Sequence, residues 1–357
     1  MNNPLINEST LPVERTQASR LEAVDFQNLV FGSVFSDHML VADYDGENWH
    51  ARIQPYGPLQ LSPSFSGLHY GQSIFEGMKA YRTAKGNVAI FRPDAHHARL
   101  NRSAERLCMP QIPEELFMQG LQQLLSLDGD WTGPEVGGQL YIRPIYFATD
   151  SYLGVRPSQT YRLIIFTCPV NAYYTEPVNV FVEETEVRAA PGGVGNAKMA
   201  GNYARTMKIG RKKKAEGYHV VLWLDANVHQ FVEEYSTMNA FFVADGTVIT
   251  PKLKGTILEG ITRNSALKLL RDNGYPVEER DLSIEELLSL HKENKLSEAF
   301  GTGTAAVVSP VAKIQYRDTT ITFTNPGEWP VANFIKTRLT DIRKGLAEDP
   351  YGWMHTV

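Results

Sequence analysis

A glycine-rich stretch that leads to a lysine is the part of this sequence best suited to chemistry. Gly192 to Gly195 hold three glycines, Lys198 follows them, and Tyr203 comes soon after. Because each glycine loses much backbone entropy on folding, this density indicates a tight turn or a close approach to another group. A lysine placed there can form a Schiff base with a carbonyl compound. The alternative is a surface loop with an ordinary solvated lysine, and this stretch alone does not decide between the two.

Other segments are suited to binding an anion or a cation. Lys254 to Arg263 runs from a glycine turn into a helix, whose N-terminal amides and dipole favour a phosphate. Gly301 to Ala305 combines glycines with threonine hydroxyls after a strand, and Glu233 and Glu234 end another strand. A phosphate cradle, an acidic partner and a Schiff-base lysine are together what pyridoxal phosphate requires. Each part alone is equally compatible with a turn, a loop or a surface charge.

Several other chemistries lack their motifs here. The sequence has no Gly-Lys-Ser/Thr nucleotide loop, no His-Glu-x-x-His zinc motif and no Gly-x-Ser-x-Gly nucleophile elbow. His96 and His97 are adjacent, so on a helix they point in different directions, and we predict no metal site. Cys108 and Cys168 are the only two cysteines, which excludes a disulfide framework. We expect both to be buried as small apolar side chains.

The composition is that of a soluble globular protein with room for two domains. The 357 residues are 43% hydrophobic and 21% charged, and the net charge of −5 gives no attraction to nucleic acid. The basic run Arg211 to Lys214 is expected to be a solvated helix face. No apolar run of about 18 residues predicts a membrane span. Residues 1–20 are polar and mixed in charge, so we expect a loose tail on a cytoplasmic protein.

Hydrophobic periodicity and turn dipeptides predict the elements that must position these residues. In the first half they predict two helices, which begin at 93 and 114, and strands at 39–44, 49–53, 77–82, 87–91, 139–148 and 161–167. In the second half they predict strands at 179–184, 219–224, 229–233, 241–243, 248–250, 296–300 and 307–314, and helices at 204–216, 262–273, 283–291 and 331–342. Hairpins mixed with helices indicate an α+β protein and do not suggest a doubly wound parallel sheet. We predict a small N-terminal domain over 1–170, an interdomain connection over 171–184 and a large cofactor-binding domain over 185–357.

Seven segments, in this order, resemble a known family. They are His69-Tyr70, Phe75 to Ala80, Phe91 to Pro93, Tyr141 to Pro144, Gly192 to Tyr203, Glu234 to Asn239, and Gly301 to Ala305. A lone glycine-lysine loop would be weak evidence, but this set, which extends over about residues 67–346, is specific. The sequence resembles the branched-chain amino acid aminotransferases in their long form. The resemblance implies a two-domain, mixed α+β fold of the fold type IV (class IV) pyridoxal phosphate enzymes, like that of D-amino acid aminotransferase.

The resemblance also implies roles toward the cofactor. Lys198 would form the Schiff base with pyridoxal phosphate and act as the general base. Glu234 would pair with the pyridine nitrogen, while its neighbour Glu233 would point the other way on a strand. Tyr203 would bond the ring oxygen, and Arg92 would bind the phosphate with its guanidinium. The remaining cofactor contacts would come from the amides of Ile261 and Thr262, the hydroxyl of Thr304, and Arg188 nearby.

The implied reaction is reversible, ping-pong amino transfer between L-leucine, L-isoleucine or L-valine and α-ketoglutarate. Arg143 would offer charge to the side chain of glutamate, and the amide of Ala305 would bind the substrate carboxylate. Tyr70 would reach the pocket from the partner subunit of a homodimer. The other positions that match the lining of the family's apolar pocket are Phe75, Tyr141, Tyr173 and Thr237. No metal is implied.

One segment departs from part of the family. Ala306 to Ser309 stands where mammalian members carry a Cys-x-x-Cys pair, so we expect no thiol switch there and a bacterial, cytoplasmic enzyme. Two other functions stay open on the same fold: a D-amino acid aminotransferase or aminodeoxychorismate lyase, and a non-catalytic binding protein. Intact Lys198, Glu234 and Arg92 disfavour the second. The sequence does not rank leucine, isoleucine and valine, because one methylene changes discrimination by only about 1–3 kcal/mol.

Overall fold

The computed structural model describes residues 10–323 and 328–357. Its strands are β1 His38–Tyr44, β2 Trp49–Pro55, β3 Ser73–Phe75, β4 Met78–Arg82, β5 Val88–Phe91, β6 Gln139–Ala148, β7 Tyr161–Val170, β8 Val178–Glu183, β9 Val220–Leu224, β10 Val232–Tyr235, β11 Met238–Ala244, β12 Thr247–Pro251, β13 Val277–Arg280, β14 Leu296–Gly303, β15 Val307–Tyr316, β16 Thr319–Ile321 and β17 Met354–Thr356. Its α-helices are α1 Ser66–Tyr70, α2 Pro93–Arg106, α3 Glu114–Asp128, α4 Ala200–Ala204, α5 Met207–Ala215, α6 Ile261–Asp272, α7 Ile284–Lys292 and α8 Pro330–Lys344.

The chain divides into two compact units. The first contains the described residues up to Asn171, together with Lys198–Ala200 and Asp341–Val357. The second contains Ala172–Ala197 and the described residues of Gly201–Thr340. This division differs from the predicted one chiefly at 341–357, because β17 pairs with β5 and so joins the first unit. No helix in the described residues has the length and apolar character needed to cross a bilayer.

The first unit is built on an antiparallel sheet of order β17-β5-β4-β6-β7-β1-β2, with β3 paired to β6. Helices α2 and α3 cover one face, and their Leu100, Phe117 and Leu124 are fully buried in its core. Strand alternation supplies the other half of this core, including Leu40 and Ile142. Helix α2 begins with Pro93 at its first position, where the missing N–H removes no helical hydrogen bond.

The opposite face of this sheet is more polar. Residues directly across an antiparallel ladder share a face, and Tyr141 lies opposite both Lys79 and Cys168. Arg143 lies two residues further along β6, on the same face as Tyr141. Phe75 lies opposite Ile145, which again shares this parity. The face that α2 and α3 leave uncovered therefore carries an aromatic and cationic set, and we call it the polar face.

The second unit is a mixed sheet of order β10-β9-β8-β15-β14-β11-β12-β13, and β10 also pairs with β11. That extra pairing closes six strands into a ring, so the sheet curls around its own core of apolar side chains. Val180, Leu222 and Phe242 are fully buried in that core. Helix α7 starts as its capping box predicts, since the Ser283 hydroxyl accepts the N–H of Glu286 at 3.0 Å.

Several local expectations are corrected by the structure. Residues 10–20 are not loose: Leu11 is buried, and Ile53 exchanges backbone hydrogen bonds with Pro12 and Glu14. Residues 1–9 of the expected tail lie outside the described part of the chain. Cys108 is exposed, because it occupies the turn after α2 with a φ of 55°, whereas Cys168 is buried as expected. These side chains are therefore not equivalent.

The basic helix after the glycine loop also differs from the prediction. The expected single helix over 204–216 is broken between α4 and α5. Arg211, Lys212 and Lys214 are exposed as expected, but Lys213 is buried. Its amine lies 3.4 Å from the ring centroid of Phe181, a cation–π contact that compensates for part of its lost hydration.

Candidate active site

Lys198 is held by its backbone within the first unit. Its N–H donates to the Ser103 hydroxyl at 2.9 Å, and its carbonyl accepts the N–H of Phe75 at 3.0 Å. Met199 extends this contact through a bridge to Ile74. The lysine amine lies 5.0 Å from the centroid of the Phe75 ring. The lysine is therefore fixed to β3 and α2 and does not extend from a loose surface loop.

The glycine loop before it is packed as well. At Gly195 a Cβ atom would lie only 2.5 Å from the carbonyl oxygen of Thr256, so this position has no room for a side chain. Gly192 has a φ of +77°, which other residues adopt at a cost. The Asn202 amide donates to the carbonyls of Val194 and Ala197 at 2.8 and 2.9 Å. Tight turning and close approach both occur here, as the glycine density predicts.

The polar face brings four of the predicted site residues together. The Arg143 guanidinium lies 4.9 Å from the ring centroid of Phe75 and 5.3 Å from that of Tyr141. The Tyr141 hydroxyl fills the space beside Gly77, where a Cβ atom would lie 1.8 Å from it. With the Lys198 amine on the Phe75 ring, this cluster combines apolar rings, one amine and one guanidinium. It suits a substrate with an apolar or a carboxylate side chain.

A buried ionic cluster lies next to Phe75 in the sequence. Glu76 accepts hydrogen bonds from Arg99 Nε at 2.6 Å and Arg99 Nη2 at 2.8 Å, and it is fully buried. His96 Nδ1 lies 2.8 Å from the same carboxylate and must carry the proton, because a carboxylate only accepts. Burial alone would raise the pKa of Glu76, but Arg99 and His96 hold it well below its usual range. Burial lowers the pKa of His96.

The other two predicted residues of the first unit contact different neighbours. Arg92 ends β5 and precedes α2, and burial lowers the pKa of its guanidinium. Tyr70 is partly exposed at the end of α1, and its hydroxyl donates to the carbonyl of Leu153.

Glu234 in the second unit is part of a buried network. Arg188 Nε lies 2.6 Å from its carboxylate, and Asn239 Nδ2 donates to it at 3.2 Å. Arg188 also donates to the carbonyls of Thr256 and Gly195 at 2.8 and 3.1 Å. The network joins β10 to the glycine loop through a charged carboxylate. Such a carboxylate can hold a protonated ring nitrogen.

Glu233 has different surroundings from its neighbour. It is buried, and one of its oxygens accepts a hydrogen bond from the Thr256 hydroxyl. Its other oxygen, Oε2, has no hydrogen-bond partner among the described residues. Burial raises the pKa of Glu233, against the influence of Thr256 and Arg188. Of the two carboxylates, Glu234 is therefore the better partner for a cation.

The anion-binding segments have the donors that a phosphate needs. Helix α6 begins at Ile261, followed by Thr262, and no side chain caps its first turn. Thr304 and Ala305 form the turn between β14 and β15. The Thr302 hydroxyl beside them is buried without a hydrogen-bond partner in the described residues. Uncapped amides, hydroxyls and the Arg92 guanidinium make a donor-only set, which fits the phosphate of pyridoxal phosphate.

The last three predicted residues lie in the second unit. Thr237 lies at the turn between β10 and β11, where its carbonyl is 3.1 Å from the position of a Cβ on Gly303. Tyr203 lies in α4, and its carbonyl accepts the hydroxyl of Thr206 at 2.9 Å. The Tyr173 ring packs edge-on against Tyr174, with centroids 4.8 Å apart.

Sequence reasoning missed the residues that hold these groups in place. Ser103, Thr256 and Asn239 each bond a predicted residue or its loop, yet each is a common polar residue outside the quoted motifs. Asn239 does close one of the motifs in sequence, which was the only available signal. The contact that Trp353 makes with Arg92 had no signal at all, because the two are far apart in the chain.

The folded units and the lysine loop define a class IV aminotransferase. The model of the amino-transferase class IV family matches residues 73–314. Branched-chain-amino-acid aminotransferase 2 of Bacillus subtilis (strain 168) is 45% identical over 353 residues, which cover 98% of this chain and 97% of that protein. The chain therefore belongs to the branched-chain-amino-acid aminotransferases of class IV.

Solved structures agree with this assignment. The branched-chain amino acid aminotransferase of Escherichia coli superposes with a TM-score of 0.75 at 28% identity, over 89% of this chain and 98% of that chain. The enzyme of T.th., complexed with N-(5'-phosphopyridoxyl)-L-glutamate, gives a TM-score of 0.72 at 29% identity, over 88% of this chain and 97% of that chain. The predicted fold type IV architecture is confirmed.

Proposed function

We propose that this protein catalyses reversible amino transfer between L-leucine, L-isoleucine or L-valine and α-ketoglutarate, with pyridoxal phosphate as cofactor. The observation that carries the proposal is the cluster of Lys198, Phe75, Tyr141 and Arg143 in a chain whose relatives over its full length are branched-chain aminotransferases.

The donor-only segments and the carboxylate of Glu234 support the choice of cofactor. When bound, pyridoxal phosphate supplies an aldehyde that amines bind covalently and a ring that accepts electrons. Arg92 would bind the phosphate with its guanidinium. Further phosphate donors would be the amides of Ile261 and Thr262 and the hydroxyl of Thr304.

Two groups would bind the cofactor ring. Glu234 would hold the proton on the ring nitrogen, and Arg188 keeps that carboxylate charged and oriented from 2.6 Å. Tyr203 would donate its hydroxyl to the ring oxygen. Both groups favour a ring that accepts electrons.

Lys198 would have two roles. Its amine binds the cofactor aldehyde between turnovers. When the substrate amine replaces it, the freed amine removes the proton from the substrate α-carbon and later delivers it. Because Ser103 and Phe75 hold the lysine backbone, only the side chain has to move between these roles. The same amine serves both half-reactions of a ping-pong cycle.

The polar face supports a pocket with two kinds of substrate. Phe75 and Tyr141 would contact an aliphatic side chain, and Arg143, stacked on both rings, would pair with the distal carboxylate of glutamate. The amide of Ala305 would bind the α-carboxylate. Tyr173 and Thr237 would complete the lining.

An exposed apolar surface supports a homodimer. Leu68 of α1 is 71% exposed, and Leu153 and Val155 of the loop after β6 are 63% and 85% exposed. The hydrogen bond from Tyr70 to the Leu153 carbonyl holds α1 and this loop side by side. Contiguous exposed apolar residues mark interaction sites. We assign this surface, which we call the Val155 surface, to the subunit contact, from which Tyr70 reaches the partner's pocket.

The experiment that tests the function is a substrate panel with α-ketoglutarate as the amino acceptor. We expect turnover of L-leucine, L-isoleucine and L-valine, and none of D-alanine or aminodeoxychorismate. Lys198→Ala should lose the visible absorption of the lysine-bound cofactor and the half-reaction, whereas Lys208→Ala, at an amine with a side chain 88% exposed, should keep both. Turnover of D-alanine in preference to L-leucine, or a fully active Lys198→Ala variant, would overturn the proposal.

A further inference from the structure

The backbone of Arg92 has an unusual conformation. Its φ and ψ are 51° and 50°, which places a non-glycine residue in the left-handed region between β5 and α2. Such a conformation costs about 1–3 kcal/mol and persists only where surrounding contacts impose it. The Arg92 N–H donates to the carbonyl of Trp353 at 2.7 Å, so part of that constraint comes from the C-terminal segment.

The side chain of Arg92 meets the same residue. The guanidinium carbon lies 5.5 Å from the centroid of the Trp353 ring, a cation–π contact. The indole is buried and fixed in turn: it stacks on Tyr351 at 4.2 Å and meets the edge of Phe91 at 5.7 Å. One tryptophan thus holds both the backbone and the guanidinium of Arg92.

The segment that carries Trp353 is held at both ends. Asp349 accepts the N–H groups of Tyr351 and Met354 at 3.2 and 2.7 Å. Beyond Trp353, β17 pairs with β5, and the Val357 N–H donates to Val88 at 3.0 Å. Because β5 ends immediately before Arg92, the C-terminal strand and the arginine share one rigid support.

We propose that Trp353 is a positioning residue for Arg92, and that it orients the guanidinium toward the phosphate of the cofactor. The proposal rests on the phosphate-binding role given to Arg92 under the proposed function. A guanidinium binds phosphate through two N–H groups in a fixed plane, so its orientation matters as well as its charge. The indole limits that orientation before the phosphate arrives, which reduces the entropy lost on binding.

The test is a double-mutant cycle on the affinity of the full-length apoprotein for pyridoxal phosphate, measured by fluorescence quenching. Trp353→Leu should weaken binding about tenfold, the effect of losing one buried cation–π contact. Arg92→Ala should weaken it further. In the Arg92→Ala background, Trp353→Leu should have no additional effect, because no guanidinium remains to be oriented.

Three controls separate positioning from folding. Trp353→Phe keeps an aromatic face and should retain most of the affinity. Trp329→Leu, at a tryptophan of the second unit, should leave the affinity unchanged. Pyridoxal, which lacks the phosphate, should bind the parent and Trp353→Leu equally.

Equal losses from Trp353→Leu in both backgrounds, or an equal loss for pyridoxal, would overturn the positioning role, because each indicates a structural effect only. An unchanged affinity in Arg92→Ala would instead overturn the phosphate-binding role of Arg92, and this proposal with it. A change in the ³¹P resonance of the bound cofactor in Trp353→Leu, with Trp353→Phe like the parent, is the further expected result.

Discussion

Lys79 is a buried cation on the polar face, where it lies opposite Tyr141 across the sheet. Its amine donates to the Gln139 side chain at 2.9 Å, and only 2% of the residue is exposed. Burial, together with the nearby charge of Arg343, lowers the pKa of Lys79 to about 7. The buried Arg343 guanidinium stacks on Phe91 at 4.1 Å, but its Nε and Nη1 have no hydrogen-bond partner among the described residues. Two cations thus share this part of the sheet.

We predict that stability rises with pH because of Lys79. An unfolded lysine keeps its proton up to a pKa of about 10.4, so between pH 7 and that value the unfolded chain binds more protons than the folded one. The contribution of Lys79 to the free energy of unfolding should therefore increase by about 2 kcal/mol from pH 7 to pH 9. Cys168 nearby does not interfere, because burial raises its pKa to about 11.

The measurement is urea denaturation of the parent and of Lys79→Met at pH 7, 8 and 9. The free energy of unfolding of the parent should rise relative to that of Lys79→Met, since methionine removes the titrating group and keeps an apolar stem. Lys85→Met is the matched control at an exposed lysine two residues beyond β4's hairpin partner Thr83, and it should follow the parent. Parallel curves for the parent and Lys79→Met would contradict the prediction.

The glycine loop is the element whose geometry the sequence indicated most directly. At Gly195 an added Cβ would meet not only the Thr256 carbonyl but also the Ala189 Cβ at 2.5 Å. Thr256 is bonded to Arg188 and to Glu233, so it cannot move aside without disturbing the network around Glu234. The loop and the carboxylate are therefore coupled through one residue.

We predict that Gly195→Ala destabilises the protein by about 1–3 kcal/mol, as overpacking of a filled site does, and weakens binding of pyridoxal phosphate. Gly210→Ala is the control: Gly210 lies inside α5 and an added Cβ would meet nothing within 4 Å. That change should stabilise by up to about 1 kcal/mol, because alanine is the better helix former. Thermal denaturation of the apoproteins and cofactor titrations give both readings; equal effects of the two substitutions would show that the close approach at Gly195 is unimportant.

Local signals predicted the elements that are long and regular. β6 and β7 alternate over ten residues each, and α3 repeats its leucines at helical spacing. By contrast, α1 and β17 were missed, because five and three residues are too short for a periodic pattern. β17 exists only through its pairing with β5, a contact between distant parts of the chain.

The site followed the same rule. Motifs identified Lys198, Arg143 and Glu234 because their neighbours in sequence are distinctive. Their supports were not predictable, since Ser103 and Trp353 act through single long-range contacts. The same limit explains why closure of the second sheet was not foreseen: the pairing of β10 with β11 completes a ring that no single segment encodes.

The whole molecule is expected to be a dimer, and the Val155 surface is where this is tested. Val155 is the most exposed large apolar residue of the described chain, at 85%, and it lies next to the loop that Tyr70 bonds. Burying such residues contributes about 25 cal/mol for each Å² removed from water, which drives association. A carboxylate at this position would have to lose its hydration without a partner, at a cost of several kcal/mol.

We therefore predict that Val155→Glu raises the dimer dissociation constant by at least about tenfold, a change of about 1.4 kcal/mol. Sedimentation velocity over a range of protein concentrations measures it. Met207→Glu, at a residue 67% exposed on α5, is the matched control and should sediment as the parent does. Because Tyr70 is proposed to complete the partner's pocket, the specific activity of Val155→Glu should fall on dilution, while that of Met207→Glu should not. A parent protein that sediments as a monomer, or a Val155→Glu protein that stays dimeric on dilution, would refute the assignment of this surface.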